Sequence, residues 1–172
     1  MRALITGITG QDGSYLAEYL LGKNYDVVGL KRHTSHGKGL DRIQHIIDNK
    51  KFTLIDSDIT DNNFINRLIR ELQPDELYHM AAISYVPTSW LEPHYTFTVN
   101  TLSTLYILES ICQYSRHTRM YFAGSSEQFG MVKESPQIET TPFYPRSPYA
   151  VSKVASFEMV RNYRESYGLF CC

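Results

Sequence analysis

The chain has 172 residues, 17 of them lysine or arginine and 18 aspartate or glutamate, for a formal net charge of −1. That balance leaves no electrostatic footprint for nucleic acid and no acidic tail. Hydrophobic residues are 42% of the chain and charged residues 20%, which is the composition of one globular domain with a core, not of a disordered segment.

Met1 leads straight into a strand-like run over residues 2–6, without the basic segment and long apolar stretch of a secretory signal. Helical spacing follows over 12–22, with Tyr15, Leu16, Tyr19 and Leu20 on one side. A second strand is expected over 25–30, a polar loop over 31–38 and a short helix over 40–47. Residues 52–56 read as a third strand. Asp61 caps a helix that runs to Leu72, where Pro74 stops it. A fourth strand over 76–80 precedes a long loop over 84–93, in which Trp90 either lines the pocket or packs the loop. A long helix over 94–114 uses Phe97, Leu102, Leu105, Ile107, Leu108 and Ile111 as apolar contacts, and a fifth strand covers 119–123. After a second long loop, Ser147 and Pro148 begin a helix to about Tyr167. The last four residues, Leu169 to Cys172, read as a strand just begun, so a longer enzyme is expected. This alternation predicts an α/β doubly wound parallel sheet, the Rossmann fold, with ligands at the carboxyl ends of the strands. No apolar run is long enough to span a bilayer. Cys112, Cys171 and Cys172 fit no disulfide framework, and neither they nor the histidines have metal spacing, so a reducing cytoplasm and no metal are expected.

The first strand runs into Thr6-Gly7-Ile8-Thr9-Gly10-Gln11-Asp12-Gly13, with glycines spaced G-x-x-G-x-x-G. The spacing suits a tight turn, then backbone close to a diphosphate, then close helix–strand packing. The next helix would aim its free N–H groups at the phosphates. The second strand ends in Lys31 and Arg32 instead of an acidic residue. A basic residue there accepts a ribose 2′-phosphate, which favours NADP over NAD. Asp58, past the third strand, either accepts from the adenine amino group or serves as an ordinary turn aspartate.

Tyr149 and Lys153 are four apart at a predicted helix start, so they share a face. A nearby cation and the helix N-terminus both favour tyrosinate, which can shuttle a proton from a sugar hydroxyl while a nicotinamide moves hydride. The fifth strand ends in Ala123-Gly124-Ser125-Ser126-Glu127. Ser125 can hydrogen-bond the reacting oxygen. Glu127 adds a carboxylate that hydride transfer does not need but that removal of water across C5 and C6 of a hexose does.

These residues carry a resemblance. The chain resembles the extended short-chain dehydrogenase/reductase superfamily, and within it the GDP-mannose 4,6-dehydratase family, through residues 3–18, Ser125-Ser126-Glu127 and residues 140–149. The resemblance implies an NADP that stays bound, held by Gly7, Thr9, Gly10, Gln11, Asp12, Gly13, Arg32, Asp58, Ile59, Ala81, Tyr149 and Lys153. It implies a catalytic set of Ser125, Glu127, Tyr149 and Lys153, and a nucleotide sugar held by Ser84, Val86, Ser89, Ser125, Glu127 and Tyr149. The expected reaction converts GDP-mannose to its 4-keto-6-deoxy product; a related reductase, epimerase or decarboxylase, or a non-catalytic binding module, are the alternatives. The family also implies a substrate domain after residue 172 and a homodimer or homotetramer. Its dimers pair through the two long helices, where Phe157, Met159, Val160 and Tyr163 offer a face that otherwise packs on the sheet. The chain departs from the family pattern at Ile83, Tyr85, Gly124 and Ser125.

Overall fold

The computed structural model describes residues 1–33 and 39–172; residues 34–38 of the expected polar loop, with His36, lie outside the described residues. Five short apolar runs form strands β1 (Arg2–Thr6), β2 (Asp26–Arg32), β3 (Phe52–Ser57), β4 (Glu76–His79) and β5 (Arg119–Phe122). All pair in parallel, in the order β3-β2-β1-β4-β5. Helices α1 (Gln11–Gly22), α2 (Asn62–Leu72), α3 (Val86–Leu91), α4 (Pro93–Phe97), α5 (Ser103–Tyr114) and α6 (Pro148–Tyr167) make the crossovers. Cys171 bridges Met120 in parallel, beside β5. The result is the doubly wound sheet expected, whose order reverses between β1 and β4, the switch point where such sheets bind ligands.

Successive strand residues point to opposite faces, and each face has its own core. Leu4, Val28, Leu77, Met120 and Phe122 pack with Ile65 and Ile69 of α2, Ile107, Leu108 and Ile111 of α5, and Val160 and Tyr163 of α6. Ala3, Ile5 and Val27 pack on the other side with Ala17 and Leu20 of α1 and with Ile43 and Ile46. Asp61 caps α2 by accepting from the Phe64 N–H at 3.1 Å. Ser147 caps α6 by accepting from Ala150 at 3.0 Å, with Pro148 in the first turn.

Several expectations are corrected. Tyr15 and Tyr19 do not face the sheet: they are 63% and 60% exposed, and α1 buries Gly13, Ser14, Ala17 and Leu20 instead. Strand β2 continues through Lys31 and Arg32, which pair with Asp56 and Ser57 of β3. Residues 40–47 form no α-helix. Ile43, Ile46 and Ile47 bond three residues back, leaving a 3-10 turn at Gln44–Ile46, and the threefold repeat puts Ile43 and Ile46 on one buried side. The 84–93 segment holds α3, with Pro87 in its first turn. Trp90 is 63% exposed and lines an open groove with Phe97 and Pro145. The long helix starts at Pro93 and is interrupted by a π-helical turn over Thr98–Leu102. Phe97 is exposed there, while Ile107, Leu108 and Ile111 are buried. Of the four residues in the possible dimer face on α6, Val160 and Tyr163 are buried in the core and Met159 packs against it, while Phe157 meets Phe143 edge-on.

Candidate active site

The glycine turn lies at the end of β1, against the end of β4. Gly7 has φ +72°, and a Cβ on it would lie 2.9 Å from the Ala81 nitrogen. A Cβ on Gly13 would lie 2.5 Å from the Gly7 carbonyl oxygen. Neither approach leaves room for a side chain, so the turn keeps bare backbone at its surface. Gly10 stands at the N-cap of α1 without a side-chain cap, which leaves first-turn N–H groups for an anion. Thr6 closes the base of the turn: its hydroxyl accepts from the Met80 and Ala81 N–H groups at 3.1 and 3.0 Å.

A cleft of about 700 Å³ opens here, between the ends of β1, β2, β3 and β4. Gly7, Thr9, Gly10, Arg32, Asp58, Ile59, Ala81 and Ser84 line it, as do Tyr85 and Arg42. Gln11, Asp12 and Gly13 lie behind the turn in the first turn of α1. At the end of β2, Lys31 is ion-paired to Asp56, with its side chain only 12% exposed. Asp58 accepts from the Thr60 N–H and hydroxyl at 2.9 and 2.7 Å through one carboxylate oxygen, as a turn aspartate does, while it also lines the cleft. Val86 and Ser89 do not line the cleft. Ser89 is buried, and its hydroxyl donates to the Val86 carbonyl at 2.6 Å.

The second group of residues gathers where β5 meets α6. Lys153 is 4% exposed; its ammonium donates to the Ala123 carbonyl at 2.7 Å and stands 4.7 Å from the centre of the Phe122 ring. Burial pushes its pKa down to about 8. Tyr149 is buried one turn earlier on the same helix. Ser125, Ser126 and Glu127 turn off the end of β5. Ser125 caps the 3-10 turn Ser126–Gln128 by accepting from the Glu127 N–H at 3.2 Å, and the Glu127 carboxylate stays exposed. The four expected catalytic residues are thus brought to one corner of the sheet, but none of them lines the 700 Å³ cleft.

Two positioning residues escaped the sequence reading. Gln128 accepts from the Ser125 N–H at 2.9 Å and donates to the Lys153 carbonyl at 3.3 Å, tying the turn to α6. The Ser-x-x-Gln spacing of a capping box was a legible signal for it. Asn100, in the π-helical turn, accepts from the Ile83 N–H at 2.8 Å and donates to the Ile83 carbonyl at 3.2 Å and the Ser152 hydroxyl at 2.9 Å. It joins the cleft wall to α6, and no local pattern announces it. Among the described residues no group of His, Cys, Asp or Glu is arranged to hold a metal ion.

A glycine turn at a sheet's switch point, followed later in the chain by a Tyr-x-x-x-Lys pair anchored on the last strand, defines a nicotinamide-dinucleotide domain of the extended short-chain dehydrogenase type. Known proteins narrow the class further. The family model for GDP-mannose 4,6 dehydratase matches residues 4–172, and the chain belongs to that family. It is 50% identical to a GDP-mannose 4,6-dehydratase of Yersinia enterocolitica and 48% identical to one of Vibrio cholerae, over 99% of this chain and 48% of each relative. The chain therefore spans about half the length of these curated relatives. It also resembles the UDP-glucuronic acid 4-epimerase of Bacillus cereus in complex with UDP-glucuronic acid and NAD, with a TM-score of 0.87 and 28% identity, covering 99% of this chain and 55% of that one.

Proposed function

We propose that this chain is the cofactor-binding and catalytic part of a GDP-mannose 4,6-dehydratase that works with bound NADP. The observation that carries the reading is the joint placement of Lys153 and Tyr149 on α6 and Glu127 on the adjoining turn, in a chain of this family. The cradle at Gly7 and Gly13 and the uncapped start of α1 fit a dinucleotide diphosphate. Arg32, where an NAD enzyme would carry an acid, supports NADP.

When bound, the nicotinamide accepts hydride from C4 of the sugar and returns it to C6. Tyr149 takes the C4 hydroxyl proton. The Ala123 carbonyl fixes where the Lys153 ammonium sits, one helical turn beyond Tyr149. Ser125 donates to the C4 oxygen. The 4-ketone makes the C5 proton acidic; Glu127 removes it and passes it to the departing C6 hydroxyl, which leaves as water. When hydride adds to C6, the Tyr149 phenol gives the proton it took from the C4 hydroxyl to C5, which restores Tyr149 for the next turnover. Ser84, which lines the cleft, is read as a contact to the sugar; Val86 and Ser89 support the α3 turn beside it. A homodimer or homotetramer is part of the reading. An apolar groove lined by Trp90, Phe97, Leu102, Pro148 and Val151 runs between the long helices that relatives of this type pair through. The free cysteines Cys112, Cys171 and Cys172 suit a cytoplasmic setting.

The test is a chimaera in which these 172 residues replace the matching segment of the Vibrio cholerae relative. Incubated with GDP-mannose, it should yield a sugar nucleotide lighter by one water in the mass spectrum. Glu127→Gln should keep dinucleotide binding and lose elimination by roughly 100-fold or more. A chimaera that binds NADP yet makes no dehydrated product overturns the proposal.

A further inference from the structure

We propose that Gln128 is a positioning residue for the elimination step, holding the turn that carries Glu127 in register with the helix that carries Tyr149 and Lys153. This rests on the dehydratase reading above and deepens it, by tying one step of the reaction to one buried amide. Among the described residues the Glu127 carboxylate has no hydrogen-bond or ion-pair partner, and it stays exposed. Its place is therefore set by the backbone of the Ser126–Gln128 turn. A 3-10 turn of that length has little internal bonding to keep it still.

Gln128 supplies the hold from outside. It is 4% exposed. Its side-chain oxygen accepts from the Ser125 N–H at 2.9 Å, and its amide donates to the Lys153 carbonyl at 3.3 Å. Its backbone carbonyl accepts from the Tyr144 N–H at 3.1 Å, on the segment that leads into α6. Lys153 is bonded to the same stretch at its other end, through its ammonium and the Ala123 carbonyl. The two bonds at Lys153 close a ring that contains Ser125 and Glu127. Gly124 fits this arrangement: a Cβ there would lie 3.1 Å from Gln128 Oε1, so bare backbone leaves the amide room to reach Ser125. A buried amide that loses a partner leaves a polar group unpaired, so the bonds select one position for the turn. Ser125 stands next to the strand end that the Lys153 ammonium holds, whereas Glu127 stands at the far side of the turn and depends on Gln128. Oxidation at C4 uses Tyr149 on α6; elimination uses Glu127. Loss of the amide therefore separates the two steps.

The test follows nicotinamide absorbance through a single turnover of GDP-mannose by the chimaera loaded with oxidised dinucleotide. The absorbance rises as C4 is oxidised and decays as hydride returns to C6 after elimination. Gln128→Met keeps the length of the side chain and removes both of its bonds. It should slow the decay roughly 10- to 100-fold and the rise less than about threefold, with dinucleotide affinity unchanged, so that reduced nicotinamide accumulates. Gly124→Ala, which crowds the amide and leaves it in place, should slow the decay alone by roughly 3- to 10-fold, and it decides the matter if Gln128→Met does not fold. Equal slowing of rise and decay would mean that Gln128 only supports the fold of this corner, and would overturn the proposal; so would two unchanged rates. An unsubstituted chimaera that binds dinucleotide yet makes no dehydrated product removes the dehydratase reading, and this one with it.

Discussion

Burial sets the ionisation of Lys153 before any substrate arrives. The ammonium is taken out of water with one carbonyl and one ring face for company, and its pKa is pushed down to about 8 from an ordinary 10.5. A base whose folded pKa is depressed adds stability above its unfolded pKa and loses it as pH falls through the window, here from about 10.5 to about 8. At neutral pH the cost of the buried charge is fully present, about 3 kcal/mol at 1.36 kcal/mol per pKa unit. Replacing the ammonium by an apolar chain also removes the bond to Ala123, worth about 1 kcal/mol. Lys153→Met should therefore be about 2 kcal/mol more stable than wild type at pH 7, with the advantage fading by pH 10.5, and should be catalytically dead. Urea unfolding at the two pH values reads this directly. A variant less stable than wild type at pH 7 would mean that the ammonium is a structural asset and not a functional cost.

At the scale of single elements, the glycine turn separates two kinds of glycine within α1. Gly13 sits against backbone, where an added methyl would lie 2.5 Å from the Gly7 oxygen, while Gly22 has nothing within 4 Å. Gly13→Ala should cost about 1–3 kcal/mol through overpacking and weaken dinucleotide binding at least roughly tenfold, because the turn must open to admit the methyl. Gly22→Ala should be stabilising by about 0.5–1 kcal/mol and leave binding unchanged. Thermal melts and dinucleotide titrations of the pair check both signs. The turn was legible because its glycine spacing is a local property, as were the Asp61 and Ser147 caps. The buried face of α1 was not. Hydrophobicity pointed to Tyr15 and Tyr19, whereas close approach of α1 to the sheet selects Gly13, Ser14 and Ala17. Local pattern also could not show the π-helical turn, since what holds Asn100 is Ile83, 17 residues away, and Ser152, 52 away.

Across the whole molecule, the two halves of the sheet meet at β1 and β4, and His79 ties that seam. The Thr6 hydroxyl accepts from Met80 and Ala81, so its proton goes to His79 Nδ1 at 2.9 Å. Ser103 in turn gives its proton to the Val99 carbonyl, so His79 Nε2 is the donor across the 3.2 Å to Ser103. One ring nitrogen accepts and the other donates, which only neutral imidazole can do. Burial, and secondarily the charge of Lys153, push the His79 pKa down to about 3. Strand pairing across this seam followed from the alternation of apolar runs, but a histidine bridging β1 to the start of α5 did not, because its partners are remote in sequence. The linkage has a definite sign. A histidine with a depressed folded pKa adds stability above its unfolded value near 6.5 and loses it as pH falls toward 3. Protonating the unfolded chain alone costs the fold up to about 1.4 kcal/mol for each pH unit in that window. His79→Gln keeps a donor and an acceptor but cannot titrate. It should be less stable than wild type at pH 7, and the gap should narrow steadily between about pH 6.5 and 4, since the carboxylates titrate alike in both. Urea midpoints measured in parallel across that range decide it. Curves that stay parallel would mean that His79 is not held neutral in the fold, and the acid sensitivity of the seam would then belong to other groups.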